Sequence, residues 1–271
     1  SFLVLVLGAG MFCVGWFRTF GGIIVTAFIV STGFHFYETM SQSMVLQYFS
    51  YQTAPIVLGK LRGLSALASI LAALVVLCAS GLGYKAVYMI IGAVVLCFGV
   101  ACIRMKPARS DLPVQARKIT LKKEYWLYYV MTVLSGSRRQ IFIVFGLYLL
   151  VKKFGFSVTE VTLLFLANNI INFFMNPLIG KAVNRFGERK VATFEYVSVI
   201  LVFGIYAFTG RPWVAAVAYI YDQFAINLMI AERTFFQKIS AREDIVSGTA
   251  TGFALNHIAA VSVPVICGYL W

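Results

Sequence analysis

The sequence predicts an all-α, polytopic membrane protein, and two observations predict it. Nine long apolar stretches fill most of the 271 residues, and the charged residues, 12% of the chain, are crowded into the gaps between these stretches. A helix of about 20 apolar residues crosses the hydrocarbon core of a bilayer. Membrane-spanning β-strands are short and alternate apolar with polar residues, and these runs are long and continuous. The predicted crossings are Phe2–Trp16, Gly22–Tyr48, Ile56–Ser80, Val87–Cys102, Tyr125–Val151, Val158–Ile179, Val191–Phe208, Pro212–Ile230 and Ile245–Trp271.

The gaps between the crossings carry residues that begin or end helices. Pro55 and Pro212 stand near predicted helix starts, where the missing N–H of proline costs nothing. Glycines mark other gaps, at Gly81–Gly83, Gly155, Gly187 and Gly210. The longest polar stretch, Arg104–Glu124, separates four crossings from five. We therefore expect residues 1–103 to form a partial N-terminal helical bundle, 104–124 a linker, and 125–271 a C-terminal bundle.

The cations are distributed unequally between alternate gaps. Sixteen Lys and Arg residues fall in the set of gaps that includes the linker, and five fall in the other set. An excess of Lys and Arg marks the cytoplasmic side of a membrane protein, so the linker is predicted to be cytoplasmic. We expect an integral protein of a bacterial inner (plasma) membrane, acting as a monomer.

The composition argues against several other classes of protein. The net charge of +13 follows from the cytoplasmic cations, and there is no polar, foldable domain to carry a nucleic-acid-binding patch. The five cysteines lie in or beside apolar runs without Cys-x-x-Cys spacing, so we expect no metal site and no disulfide role. A phosphate-binding loop of the form G-x-x-x-x-G-K-S/T is absent from the sequence, and no cofactor is expected.

The gap between the sixth and seventh crossings carries a recognisable motif. It reads Gly180-Lys-Ala-Val-Asn-Arg-Phe-Gly-Glu-Arg-Lys190 and resembles the signature loop of the major facilitator superfamily, roughly G-x-x-x-D-R-x-G-R-R/K. The matching positions are Gly180, Arg185, Gly187 and Lys190. Asn184 stands where Asp is usual and Glu188 where Arg is usual, with Arg189 as the shifted partner. We expect this segment to act as a conformational loop; the alternative is a generic basic hairpin.

The position of this motif supports the resemblance. In that family the second copy of the loop lies two helices after the central linker, as it does here. The register implies that the chain covers roughly the third to the eleventh family helices, a two-bundle transporter fold truncated at both ends. The fourth, seventh and tenth family helices, together with the first, line the central cavity. The resemblance therefore implies that the second, fifth and eighth crossings carry site residues.

Arg138 and Arg139 are the strongest candidates for a site because they lie near the middle of the fifth crossing. Ionisable residues at bilayer depth are costly and mark functional sites by default. Guanidinium groups bind carboxylate or phosphate with two parallel hydrogen bonds, so we expect one of the pair to clamp an anionic substrate. Because neighbours on a helix point about 100° apart, we expect the other to pair with a carboxylate on a neighbouring helix or reach backbone carbonyls. The alternative is a purely structural ion pair.

Asp222 lies near the middle of the eighth crossing, with Tyr219 one turn before it on the same face. In the family register Asp222 faces the same cavity as the two arginines. A substrate that competes for the arginine would release Asp222 to take a proton and couple proton movement to transport. A permanent Arg–Asp pair is the structural alternative.

Two further polar stripes lie on predicted crossings. His35 and Glu38 are three residues apart on the second crossing, with Gln42 four further along, and can form a proton relay or a packing contact. On the sixth crossing, Asn168 and Asn172 belong to a stripe of amides that repeats every four residues. Such amides more often join helices than bind substrate, and both uses stay open. Glu195 and Glu232 are interpreted as local ion pairs with Arg189 and Arg233, near cytoplasmic helix ends.

These features predict a secondary transporter that works by alternating access. We expect it to move a small organic anion with protons, and proton-antiport efflux of drugs or metabolites is the second possibility. A membrane-embedded enzyme is less favoured, because no HExxH, paired-Asp or strained-serine motif is present. A transporter-like sensor or scaffold without flux is the remaining reading. The expected partners are the small-molecule substrate, protons and the lipid bilayer.

Overall fold

The computed structural model describes residues 2–17, 19–78, 83–104, 113–116, 119 and 121–270, and it is helical throughout its membrane-length segments. Within these ranges, eight segments are long and apolar enough to cross a membrane, and Phe2–Trp16 is a shorter apolar helix. The predicted all-α, polytopic fold is confirmed. The α-helices are α1 (Phe2–Trp16), α2 (Phe20–Tyr48), α3 (Ala54–Cys78), α4 (Gly83–Ile103), α5 (Trp126–Ile141), α6 (Leu147–Lys152), α7 (Val158–Phe186), α8 (Glu188–Phe208), α9 (Pro212–Ala225), α10 (Ile230–Ile239) and α11 (Ile245–Leu270).

Two of the crossings contain a change of helix type near their middle. A π-helical turn, Phe142–Gly146, joins α5 to α6, and a 3₁₀ turn, Ile226–Met229, joins α9 to α10. Both composite segments remain continuous spans, Lys123–Lys152 and Pro212–Ile239. Single π turns inside helices are frequent at functional sites. The π turn begins three residues after Arg139, where it changes the direction of the side chains that follow.

The basic gaps are more helical than the sequence predicted. The sixth crossing was predicted to end at Ile179 and the eighth at Ile230, but α7 continues to Phe186 and α10 to Ile239. Lys and Arg carry long apolar stems, so they extend a helix beyond the hydrocarbon while their charges reach the headgroup region. Gly187, with φ of 82°, is the residue that separates α7 from α8.

Several predicted features lie wholly or partly outside the described residues. The linker 104–124 is described only in part, and the third crossing was predicted to end at Ser80, beyond the last described residue of α3. The cations of the linker and loops that fall outside are Arg18, Lys106, Arg109, Arg117 and Lys118.

The first of two compact units comprises Ser1–Ser43 and Leu71–Pro113. Its centre is the packing of α1 against α4, where glycines let the two backbones approach. A side chain at Gly8 would meet the Leu96 nitrogen at 2.8 Å, and one at Gly92 would meet the backbone of Phe12. Small residues of this kind drive helix association in membranes, because lipid supplies no hydrophobic force between helices.

The second unit comprises Met44–Ile70 and Val114–Trp271 and holds most of the buried side chains. Here the end of α2 and the start of α3 pack with α7, and a side chain at Gly180 would collide with the Pro55 carbonyl oxygen. These units differ from the predicted bundles in the α2–α3 hairpin. The predicted bundle boundaries at 103 and 125 stay a prediction.

The end of the linker is fixed to the loop between α10 and α11. Gln115 donates to the Arg242 carbonyl oxygen and accepts from the Val246 N–H, at 3.0 and 3.2 Å. Ala116 N–H donates to the Glu243 carbonyl oxygen at 2.9 Å. These bonds make residues 114–116 part of the second unit.

Candidate functional site

The two adjacent arginines of α5 have different partners. Arg138 is buried, and its Nη2 lies 3.4 Å from Oε1 of Glu195 on α8. The prediction that one arginine pairs with a carboxylate on a neighbouring helix therefore describes Arg138. The predicted pairing of Glu195 with Arg189 is wrong. Because α8 begins at Glu188, Glu195 lies two turns inside the helix and faces the interior.

A second carboxylate, Glu232 on α10, lies beside this ion pair. Ser135 donates to Glu232 Oε2 at 2.8 Å, and the Tyr196 hydroxyl lies 3.4 Å from the same serine oxygen. Arg138 and Arg233 both act on Glu232 electrostatically, so the predicted Glu232–Arg233 contact is one part of a larger network. The network joins α5, α8 and α10 through side chains that are one helical turn apart on α5.

Asp222 on α9 is completely buried, with 0% of its surface exposed. Neither carboxylate oxygen accepts a hydrogen bond from the described residues. Arg138 acts on Asp222 electrostatically, as the sequence predicted for two residues facing one interior, but Glu195 holds the direct ion pair. Tyr219, one turn earlier, is also buried, and it packs edge-on to Phe165 with ring centroids 6.1 Å apart. A buried carboxylate without hydrogen bonds is costly unless it is protonated or solvated.

Arg139 is half-buried and directed toward α11. Its Nη2 donates to Oδ1 of Asn256 at 3.1 Å, and Nδ2 of Asn256 donates to the Thr132 carbonyl oxygen at 3.0 Å. Gly136 makes this arrangement possible, since a side chain there would collide with the Asn256 carbonyl oxygen. Arg139 therefore carries its charge at a partly exposed position, whereas Arg138 is enclosed.

The amide stripe of α7 connects to the eighth crossing. Asn172 donates to Oδ1 of Asn168 at 3.4 Å, and Asn227 of the 3₁₀ turn donates to Oδ1 of Asn172 at 3.1 Å. This arrangement shows the amides as contacts between elements of the second unit. Whether Asn168 and Asn172 also contact substrate stays a prediction.

The polar stripe of α2 lies in the first unit. Gln42 donates to Oε1 of Glu38 at 3.1 Å, and both side chains are half-buried. The His35 ring stands edge-on to Phe34 with centroids 5.4 Å apart. The proton-relay role of His35 and Glu38 stays a prediction.

The predicted conformational loop is two helix ends with a single residue between them. Gly180 and Arg185 belong to α7, while Arg189 and Lys190 belong to the first turn of α8. Glu188 pairs with Lys238 of α10 at 2.8 Å. Asn184, which replaces the usual Asp of the motif, donates to the Gln52 carbonyl oxygen at 2.5 Å. An amide, unlike a carboxylate, can donate to that carbonyl.

Sequence reasoning missed the network around Arg138. Ser135, Tyr196 and Asn227 were not predicted as site residues, and Glu195 and Glu232 were assigned to helix ends. The signal that could have found Glu232 was the true length of the eighth crossing. This crossing ends at Ile239, not at Ile230, and Glu232 therefore lies inside it. Among the described residues, no group of three or more His, Cys, Asp or Glu side chains is arranged to hold a metal ion.

The family model of the Major Facilitator Superfamily matches residues 1–264. No curated protein matches the chain. The family match covers the six predicted site residues of α5, α7 and α9 as well as the two on α2.

Proposed function

This chain belongs to the major facilitator superfamily, a family of secondary transporters, and on that premise we propose that it moves a small organic anion across the membrane in symport with protons. The transport cycle is alternating access, in which two helical bundles rock about a site near the bilayer midplane. The single observation that carries the substrate class is the different environment of the two adjacent arginines. Arg138 is buried and forms an ion pair with Glu195, whereas Arg139 is half-buried and donates to the amide oxygen of Asn256.

Arg139 is the proposed anion clamp. Its hydrogen bond to Asn256 orients the guanidinium, and its half-buried position leaves part of the side chain accessible. A carboxylate or phosphate of a substrate can accept two parallel N–H bonds from this guanidinium. The half-buried position strengthens the attraction, because the effective dielectric constant is lower there than in water.

The proton is carried by the buried carboxyl groups around Arg138. Asp222, Glu195 and Glu232 interact electrostatically with Arg138, and Arg233 acts on Glu232. If all three carboxyls were ionised, three negative charges would face the two cations that act on them, Arg138 and Arg233. Such an excess of charge in a buried site costs several kcal/mol. This imbalance favours a state that holds at least one proton.

Asp222 is the proposed position of that proton, because its oxygens have no hydrogen-bond donor, whereas Glu232 receives one from Ser135. The other titratable groups that face Asp222 are Tyr219 on its own helix and Tyr206 on α8. Arg139 is next to Arg138 in the chain. An anion bound to Arg139 adds negative charge beside the carboxyl groups around Arg138 and favours proton uptake by Asp222. Substrate and proton therefore bind together and cross together.

Proton-antiport efflux of an apolar drug or metabolite is the second candidate. It is supported by an aromatic-rich cavity of about 430 Å³ beside the π turn, lined by residues that include Phe142, Phe145, Phe203 and Tyr206. In this alternative the carboxyl network exchanges a proton for the substrate. The two readings predict opposite responses of uptake to an inward proton gradient.

We also propose that the linker 104–124 faces the cytoplasm and that the protein lies in the plasma membrane as a monomer. The excess of cations in the linker gaps supports this orientation. A membrane-embedded enzyme or a sensor without flux has less support, since neither reading requires two adjacent arginines with different partners.

The deciding experiment is uptake of a panel of radiolabelled organic anions and cations into proteoliposomes, with and without an inward proton gradient. We expect anion uptake that the gradient accelerates. Arg139→Gln should abolish anion binding while the protein stays folded, and Arg211→Gln, at an exposed loop position, is the matched control. Unchanged anion affinity in both Arg138→Gln and Arg139→Gln would remove the clamp. Gradient-driven efflux of lipophilic organic cations would support the second candidate.

A further inference from the structure

Two grooves on the second unit meet at the start of α8. The first, about 460 Å³, lies between α7 and α8 and is lined by apolar side chains such as Met175 and Leu178, with Lys190 at one end. The second, about 700 Å³, follows α8 from Arg189 past Thr193 to Leu201. Both grooves include Lys190 and Phe194, so they share one cationic end, and the second groove also contains Thr193 and Ser198 among its apolar side chains.

From this arrangement we infer that the α7–α8 surface is a binding site for one anionic phospholipid. Its phosphate lies at Arg189 and Lys190, and its two acyl chains follow the two grooves on either side of Phe194. The site is separate from the proposed substrate site, and its argument does not depend on which solute is moved.

The length of the second groove along α8 matches the thickness of one bilayer leaflet. Arg189 and Leu201 are twelve positions apart on one helix, which at a rise of ~1.5 Å per residue is about 18 Å. The hydrocarbon core is about 30 Å thick, so each leaflet contributes about half of that depth. The groove therefore reaches from the headgroup region to the bilayer centre, which is the span of an acyl chain.

The charges at the mouth favour an anionic lipid. Arg189 and Lys190 are exposed, and the neighbouring acid, Glu188, is already paired with Lys238. The cap residue of α8 is Gly187, which has no side chain to accept from the N–H groups of the first turn. A phosphate there receives hydrogen bonds from side chains and backbone together, whereas the quaternary ammonium of a zwitterionic lipid is repelled by the two cations.

Phe194 supplies the division between the acyl chains. It lines both grooves and is 58% exposed, although the next residue along the helix, Glu195, is buried. Val197 and Leu201 continue the same exposed apolar strip and are 53% and 63% exposed. In a membrane protein such a strip contacts the acyl chains of lipids. Because the strip begins beside Arg189 and Lys190, these two cations select the lipid by the charge of its headgroup.

The test is lipid binding by the delipidated full-length protein, measured by native mass spectrometry with three probes. These are a palmitoyl-oleoyl phosphatidylglycerol, the phosphatidylcholine with the same acyl chains, and inorganic phosphate. We expect one tightly retained phosphatidylglycerol per protein and weaker retention of phosphatidylcholine. Each cation near an anionic lipid contributes about 1 kcal/mol, so the double variant Arg189→Gln/Lys190→Gln should weaken phosphatidylglycerol binding about 30-fold.

The matched control removes the same charge from the same cytoplasmic segment. Lys181→Gln/Arg185→Gln alters two exposed cations that do not line either groove, and it should leave retention unchanged. Thr193→Trp keeps both cations and fills the second groove, and it should also reduce retention. If the double variant fails to fold, as judged by gel filtration and circular dichroism, Thr193→Trp alone decides the outcome.

Several results would overturn the inference. Equal retention of the two lipids would show that the headgroup charge is not recognised. Equal losses in the double variant and its control would show a diffuse charge effect. Displacement of the bound lipid by inorganic phosphate would identify a phosphate site without acyl-chain recognition.

Discussion

Asn256 on α11 holds Arg139 of α5 by one amide oxygen and fixes itself to α5 by its amide nitrogen. The Arg139 Nη2 to Oδ1 distance is 3.1 Å, and Nδ2 donates to the Thr132 carbonyl oxygen at 3.0 Å. One amide therefore both joins two helices and orients a guanidinium. The two roles are separable, because they use different atoms of the same side chain.

Asn256→Asp should weaken anion binding while leaving the protein folded. The new carboxylate keeps the acceptor for Arg139 but loses the N–H donor to the Thr132 carbonyl oxygen, and it places a negative charge where the proposed substrate charge binds. We expect KM for the transported anion to rise at least about tenfold, since a hydrogen bond to a charged group contributes about 1.5–3 kcal/mol, with little change in kcat. Initial rates in proteoliposomes across substrate concentrations measure both parameters.

Asn169→Asp is the control for this substitution. Asn169 is also an amide on a membrane-spanning helix, but it is half-buried and donates in an exposed hydrogen bond to the Phe165 carbonyl oxygen of its own helix. The same change there should leave KM unaltered. A fall in kcat alone in Asn256→Asp would contradict the positioning role of Asn256.

The Arg138–Glu195 pair should show strong non-additivity in stability. Arg138→Gln or Glu195→Gln alone leaves an uncompensated charge beside its neighbours, and we expect each to lower the free energy of unfolding by about 3–5 kcal/mol. The double variant removes both charges and should lose much less than the sum of the two. Unfolding of the purified protein in mixed micelles, followed by tryptophan fluorescence, gives the three values. Additive losses would show that the two side chains do not interact.

The fold and the arginine pair were accessible from sequence for a physical reason. Apolar length reports membrane crossing directly, because the bilayer sets the number of residues that a helix needs. Two adjacent arginines in an apolar run are equally conspicuous, since their cost in hydrocarbon is high. The 100° rule also predicted correctly that Arg138 and Arg139 would have different partners.

The partners themselves were not accessible from sequence alone. Glu195 was paired with Arg189 because six residues separate them in the chain, and its contact with Arg138 spans 57 positions. Helices extend past the hydrocarbon core of the membrane. A helix end predicted from where the apolar residues stop is therefore placed too early in the chain. Asn184 illustrates a different limit: its hydrogen bond to the Gln52 carbonyl oxygen depends on a tertiary contact that the motif does not encode.

Gly136 should be intolerant of even a methyl group. A side chain there would meet the backbone of Asn256, which cannot shift without moving α11 away from α5. We expect Gly136→Ala to lower the free energy of unfolding by about 1–3 kcal/mol, the usual cost of overpacking a dense interior. Thermal unfolding of the purified protein would measure this loss as a lower Tm.

Gly204→Ala is the matched control in α8, where a side chain would meet nothing within 4 Å. Alanine is favoured over glycine inside a helix by about 1 kcal/mol, so this control should be neutral or stabilising. Equal destabilisation by the two substitutions would show that close approach of α11 is not the cause.

Tyr125, at the end of the linker, should stabilise the junction between α10 and α11. Its hydroxyl donates to Asp244 Oδ2 at 2.9 Å and accepts from the Ala241 N–H at 3.1 Å, and Lys122 bonds the same carboxylate. The hydrogen bond to Asp244 raises the pKa of Lys122 above its ordinary value of 10.5. A raised lysine pKa contributes stability that is present below the ordinary value and is lost as the pH rises through the folded value.

Tyr125→Phe should therefore lower the free energy of unfolding by about 1–3 kcal/mol, because the partly buried Ala241 N–H loses its acceptor and the buried Asp244 carboxylate loses a donor. The loss should be the same at all pH values near neutrality, since Lys122 stays charged there. Tyr269→Phe, at a position 89% exposed, is the control and should have no effect. A Tyr125→Phe protein with unchanged Tm, or a loss that varies between mildly acidic and neutral pH, would show that this hydroxyl does not secure the linker to the α10–α11 loop.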